Sequence, residues 1–132
     1  MKTSATIAQM LVRAGALFQI VTGLLFWSGN LLALVQLHML IGFIVALSLL
    51  VLAGLGAWSG LPAGRVVLAI GWALLVPVLG MTQTQLLPGD LHWIVRVVHL
   101  LVGLGAVWMA EGLARRVRAG PGRVQPVAEE AR

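Results

Sequence analysis

Residues 31–58 read LLALVQLHMLIGFIVALSLLVLAGLGAW, without one Asp, Glu, Lys or Arg. A stretch this long and this apolar is too long for a buried core helix of a small soluble domain and suits a membrane span with some tilt. Reading outward from it, three further apolar stretches appear. The first runs over about 7–27 and ends at Ser28-Gly29-Asn30, a turn signal with Asn30 placed to cap the next helix. Beyond Trp58, the Gly- and Pro-containing segment from Ser59 to Arg65 separates off a third stretch, 66–81, whose Pro77 is of a kind that membrane helices tolerate. Pro88-Gly89 makes the next turn, Asp90 stands as its cap, and a fourth stretch covers 91–113. The pattern predicts an all-α, four-span transmembrane bundle over 1–116, up-down-up-down, followed by a disordered basic and polar tail at 117–132. A cleaved signal peptide over the first stretch is the weaker reading, since no small-x-small cleavage site follows it.

Composition agrees. Of 132 residues 60% are hydrophobic, and only 9 are basic and 4 acidic, against roughly a quarter charged in soluble domains. Four spans of about 20 residues leave no length for a soluble catalytic domain or a nucleotide-binding fold. There is no cysteine, which excludes disulfides, iron–sulfur ligation and thiolate metal sites. A net charge of +5 reads as the bias that orients spans and not as a nucleic-acid surface. With four spans, Lys2, Arg13, Arg65, Arg115, Arg116, Arg118, Arg123 and Arg132 fall on one side and Arg96 alone on the other. Both termini are therefore expected in the cytoplasm, in a multi-pass protein of the cell inner (plasma) membrane. The expected surroundings are membrane lipid and no nucleic acid.

Ionisable residues inside spans are costly and mark functional sites by default. His38 lies eight residues after Asn30 and His99 nine after Asp90, so each sits roughly 12–14 Å into its helix. In an up-down bundle spans two and four run the same way and face each other diagonally, which puts the two imidazoles at one depth. Each begins the pattern His-x-x-x-Gly, with Gly42 and Gly103 one turn on, and the two copies are 61 residues apart. The plain explanation is interhelical hydrogen bonding and close packing at small residues. The sharper one is a flat macrocycle held by axial histidines, a usual way for a bundle to hold haem. A bare metal ion fits less well, because two histidines without thiolate or carboxylate make a poor closed site. Arg96, one turn outward of His99, either snorkels to the surface or pairs with a haem propionate. His92, two turns outward, is an interfacial histidine or a propionate partner, beside Trp93 in the aromatic belt. Glu111, four residues before Arg115, reads as a surface ion pair. Met39, Met81 and Met109 read as packing.

Four helices with histidines on the second and fourth, about sixty residues apart, resemble one four-helix half of the haem A synthase family, over roughly Ala16 to Arg116. The resemblance implies that His38 and His99 correspond to the haem-ligand pair of that half. The family has a functional carboxylate shortly before its first ligand histidine and often a cysteine pair. Here Gly29 to Gln36 has neither, which points to a haem-binding relative without methyl-oxidising activity. The expectation is a small membrane cytochrome with haem b, transferring one electron near the outer face, with a quinol or an outer-side redox protein as its partner. Two alternatives stay open. One is a half-length haem-modifying synthase that works as a homodimer. The other is a haem-free membrane subunit or assembly factor. A proton-coupled exporter ranks lower, since span one lacks a carboxylate.

Overall fold

A computed structural model describes residues 1–120; the remainder of the expected tail, 121–132, lies outside the described residues. The described residues form four α-helices: α1 (Lys2–Trp27), α2 (Val35–Trp58), α3 (Ala63–Thr82) and α4 (His92–Ala119). Short 3₁₀ turns, Leu32–Leu34 and Gln83–Gln85, stand before α2 and after α3. No strand occurs among the described residues. All four helices are long and apolar enough to cross a membrane.

Helix ends depart from the expected ones for local reasons. The left-handed residue that starts the turn into α2 is Leu31 (φ 53°), with no side-chain cap, while the Asn30 amide bonds back to the Ser28 carbonyl and hydroxyl. Asn30 thus closes the preceding turn. At the fourth helix the capping position is Leu91, again with no side-chain bond, so Asp90 is not the cap. At its other end α4 continues to Ala119, three residues into the stretch expected as tail, and closes at Gly120 with φ 77°.

The core is built from small residues at helical spacing. On α2 it takes Val45, Leu49, Leu52 and Ala53; on α4 Ala106, Ala110, Leu113, Ala114 and Val117; on α3 Ala69, Ala73 and Val76; on α1 Ala5, Ala8 and Val12. α2 and α4 each pack on all three of the other helices, α2 the more extensively. Small side chains let helices approach where lipid supplies no hydrophobic drive between them. At Gly15 an added Cβ would stand 2.5 Å from Val45, the tightest approach of α1 to α2. The outer faces are as apolar as the interior: Trp58 is 84% and Trp108 74% exposed, with Leu17, Leu47 and Val67 also open. In water so continuous an apolar surface would drive association; in lipid it is the solvent-matched face.

Two ends of the bundle differ in kind. At one end Met1 meets Ser59 (3.9 Å, Oγ to Sδ), and α1 and α4 are tied by polar groups. Glu111 accepts from Arg13 Nε at 2.6 Å, Arg13 Nη2 at 2.9 Å and Gln9 Nε2 at 2.6 Å. Arg118 donates to Gln9 Oε1 at 2.5 Å. Glu111 therefore pairs with Arg13 across the helices, and Arg115 reaches only the Glu111 backbone carbonyl, at 3.3 Å. The i+4 surface pair expected from the sequence is replaced because Arg13 can approach the carboxylate side-on with two donors. The other end is hollow.

Candidate functional site

The hollow end holds a cavity of about 470 Å³, within the roughly 300–1,000 Å³ of small-molecule and cofactor sites. It is lined by the C-terminal halves of α1 and α3 and the N-terminal halves of α2 and α4, and the core packing described above closes its floor. His38, His99, Gly42, Gly103, Arg96 and His92 all line it. The rest of the wall is largely apolar, with Phe26, Trp27, Phe43, Val76, Pro77 and Leu100 among its members.

His38 is half-buried on α2. Its Nδ1 lies 2.6 Å from the hydroxyl of Thr22 on α1, and its ring packs against Phe26, centroids 5.2 Å apart and planes at 58°. Gly23, next to Thr22, faces the same ring, where an added Cβ would stand in ordinary contact, 3.8 Å from the His38 Cε1. His99 on α4 is set against Gly80 of α3, where a Cβ would stand 3.4 Å from its Cε1. Each histidine is thus seated against a glycine of a neighbouring helix. The Nδ1 of His99 is buried without a hydrogen-bond partner, and so is Oε1 of Gln19, another cavity residue.

Gly42 and Gly103, alike in sequence, differ in space. A Cβ at Gly42 would meet the Gln19 amide nitrogen at 2.7 Å, whereas Gly103 faces nothing within 4 Å. Gly103 opens the cavity; Gly42 makes room for Gln19. At the mouth, the Arg96 guanidinium carbon lies 6.0 Å from the centroid of the Trp27 ring, the outer limit of a cation–π contact. No carboxylate pairs with Arg96 among the described residues. His92 donates from Nδ1 to the Leu86 carbonyl at 3.2 Å, which ties the start of α4 to the preceding loop.

Gln19, which the sequence offers either as a residue lining an outer opening or as an interhelical hydrogen-bond partner, lines the cavity; Thr22, Gly23 and Gly80 also belong to the site, and the sequence does not single them out. They lie on spans one and three, and nothing in their own spacing says that they face a histidine. Only the crossing of α1 with α2 and of α3 with α4 brings them there.

The donor set discriminates between guests. Among the described residues no group of three or more His, Cys, Asp or Glu side chains could hold a metal ion, and no carboxylate lines the cavity. Two imidazoles from different helices, an apolar wall, a glycine gap and a cation at the mouth suit a flat apolar group with a metal centre and acidic substituents. No protein-family model, curated protein or solved structure matches the chain.

Proposed function

We propose that the chain is a small integral membrane cytochrome that binds haem b between spans two and four and transfers single electrons near the outer face of the cell inner (plasma) membrane. The observation that supports it most is that His38 and His99, from different helices, line one apolar cavity of cofactor size. In this reading His38 and His99 would hold the haem iron, Gly103 would leave room for the ring, and Arg96 with His92 at the mouth would meet its acidic groups. When bound, the haem supplies a one-electron iron couple. The protein's own part is to orient the two imidazoles, to keep water out with the Phe26, Phe43 and Leu100 wall, and to balance the acidic edge with Arg96. A quinol or an outer-side redox protein would be the electron partner.

An up-down-up-down arrangement with both termini in the cytoplasm belongs to the same proposal. Its support is that the cavity takes C-terminal halves of α1 and α3 and N-terminal halves of α2 and α4, while Met1 and Ser59 meet at the opposite end. Lys2, Arg13, Arg65, Arg115, Arg116 and Arg118 belong to that opposite end, the charge bias of a cytoplasmic face.

The rival reading, a haem-free subunit whose histidines only stitch helices, draws on the Thr22–His38 hydrogen bond. It leaves His99, which lines the cavity and makes no hydrogen bond to another helix among the described residues, without a role. A haem-modifying synthase would want a carboxylate in the cavity, and none lines it.

The test is spectroscopic. Protein purified from membranes of haem-replete cells should show a Soret band with sharp reduced-state bands; His38→Ala and His99→Ala should each lose or shift them, and His92→Ala should keep them. Wild-type protein without a Soret band, with haem supplied, would exclude haem binding. Loss on His92→Ala with retention on His38→Ala would mean that the ligands are misassigned.

A further inference from the structure

Thr22 is buried on α1, 3% exposed, and its hydroxyl has a filled hydrogen-bond ledger. It donates to the Phe18 carbonyl oxygen at 2.8 Å, the back-bond of a threonine inside a helix. Its oxygen also lies 2.6 Å from Nδ1 of His38. A hydroxyl has one proton to give. If that proton goes to Phe18, with the Gln19 carbonyl 3.4 Å away on the same side, the short contact to His38 must be made by the imidazole's own Nδ1–H, with Thr22 accepting. A neutral imidazole protonated on Nδ1 has its lone pair on Nε2, and His38 lines the cavity.

His99 lines the same cavity with no such arrangement. Its Nδ1 is buried and unpartnered, and across from its Cε1 stands Gly80, which has no side chain to offer. Nothing there holds the ring proton on one nitrogen. The two histidines, equivalent in the sequence pattern, are therefore chemically unequal.

We propose that Thr22 is a positioning residue that holds the Nδ1 proton of His38 and leaves Nε2 unprotonated for coordination, so that His38 is the fixed ligand of the site and His99 the exchangeable one. The second half rests on the haem reading; the first does not. A ligand histidine whose far nitrogen donates a hydrogen bond is oriented and made more basic, and the other ligand is the one a small neutral competitor displaces. With haem bound and reduced, His99 would be the residue given up as a neutral imidazole to a neutral competitor such as carbon monoxide, with no change of electrons or protons. The site would then respond to a small gaseous or neutral ligand from the His99 side alone.

The tautomer is read without haem. In haem-free, full-length protein labelled with ¹⁵N-histidine, His38 should show a single Nδ1–H form in the wild type and in Thr22→Ser. Thr22→Val should give a mixture of tautomers, with helix content by circular dichroism unchanged. Thr22→Ala removes the hydroxyl without adding volume and gives the same reading should Val not pack. An unchanged His38 signal in the folded hydroxyl-free variant overturns the positioning role.

In haem-loaded protein the same loss should weaken haem retention about tenfold or more, and Thr22→Ser should stay near wild type. In the diamagnetic ferrous carbon monoxide adduct of ¹⁵N-histidine-labelled protein, His38 should give the signals of a metal-bound ring and His99 those of a free imidazole; the reverse overturns the ligand assignment. Protein that binds no haem but loses the His38 Nδ1–H form in Thr22→Val would sink the cytochrome reading and leave the positioning role standing.

Discussion

A methyl group added at Gly105 would stand 2.5 Å from the Trp72 ring. The indole has little freedom to retreat, because its Nε1 donates to the Val102 carbonyl at 2.8 Å, one turn away on the same helix. Gly105→Ala must therefore either strain α3 against α4 or break that bond. Overpacking of this kind costs roughly 1–3 kcal/mol. Trp72→Phe removes the donor together with the part of the ring that faces Gly105, so Gly105→Ala should cost much less in a Trp72→Phe background than in the wild type. Unfolding titrations in mixed micelles would measure both, and an equal cost in the two backgrounds would contradict the packing account. The glycines also show where residue-level reading stops. Gly42 and Gly103 stand out in the sequence because each follows a histidine by one turn. Yet the glycines seated against the histidines are Gly23 and Gly80, and those pressed hardest by apolar side chains are Gly15 and Gly105. A glycine's importance at a helix crossing is decided by what arrives from the other helix. His38 and His99 were legible because an ionisable side chain in an apolar run is conspicuous by itself. Thr22 was not, since a threonine in a span is ordinary until its partner is known.

At the scale of helices, α1 and α4 are joined by the Gln9, Arg13, Glu111 and Arg118 network. Lipid gives two apolar helices no reason to prefer each other over the bilayer, so small residues and polar bonds decide which pairs form. Gln9 is 3% exposed and both ends of its amide are satisfied, by Glu111 and by Arg118. Its fit depends on the register of both helices. Glu111→Arg or Arg13→Glu alone places like charges together and should lower the melting temperature. The double swap should recover most of the loss. If the double variant melts no higher than the worse single one, the pair is incidental. From sequence only the i+4 neighbour Arg115 was available to Glu111, because a partner 98 positions away requires knowing that α1 packs on α4. The number of long helices was, by contrast, plain in the sequence, since charge-free runs separated by Gly, Pro and Asn turns have few other readings. Their ends were not: the 3₁₀ turn at Leu32–Leu34 draws Asn30 away from the capping role that its place suggests.

At the scale of the molecule, small residues fill one end and a cavity opens at the other, with cations concentrated at the filled end. That asymmetry gives the proposed orientation a consequence. If positive charge keeps the filled end in the cytoplasm, the cavity with His38 and His99 lies in the outer half of the membrane, and electrons would be exchanged with a quinol in the bilayer or a protein outside it. The chain has no cysteine, so each introduced thiol is the only one present. Asn30 and Gln85 are exposed in the connections at the cavity end, and Gly64 at the start of α3 has nothing within 4 Å of an added Cβ. A membrane-impermeant maleimide applied to intact spheroplasts should modify Asn30→Cys and Gln85→Cys and leave Gly64→Cys untouched until the membrane is opened. The inverse pattern would turn the molecule over and put the cavity on the cytoplasmic side, which would require an inner electron partner. Labelling of Asn30→Cys and Gly64→Cys from the same side would be more damaging: α2 would then not cross the membrane, and the matched depth of His38 and His99 would lose its basis.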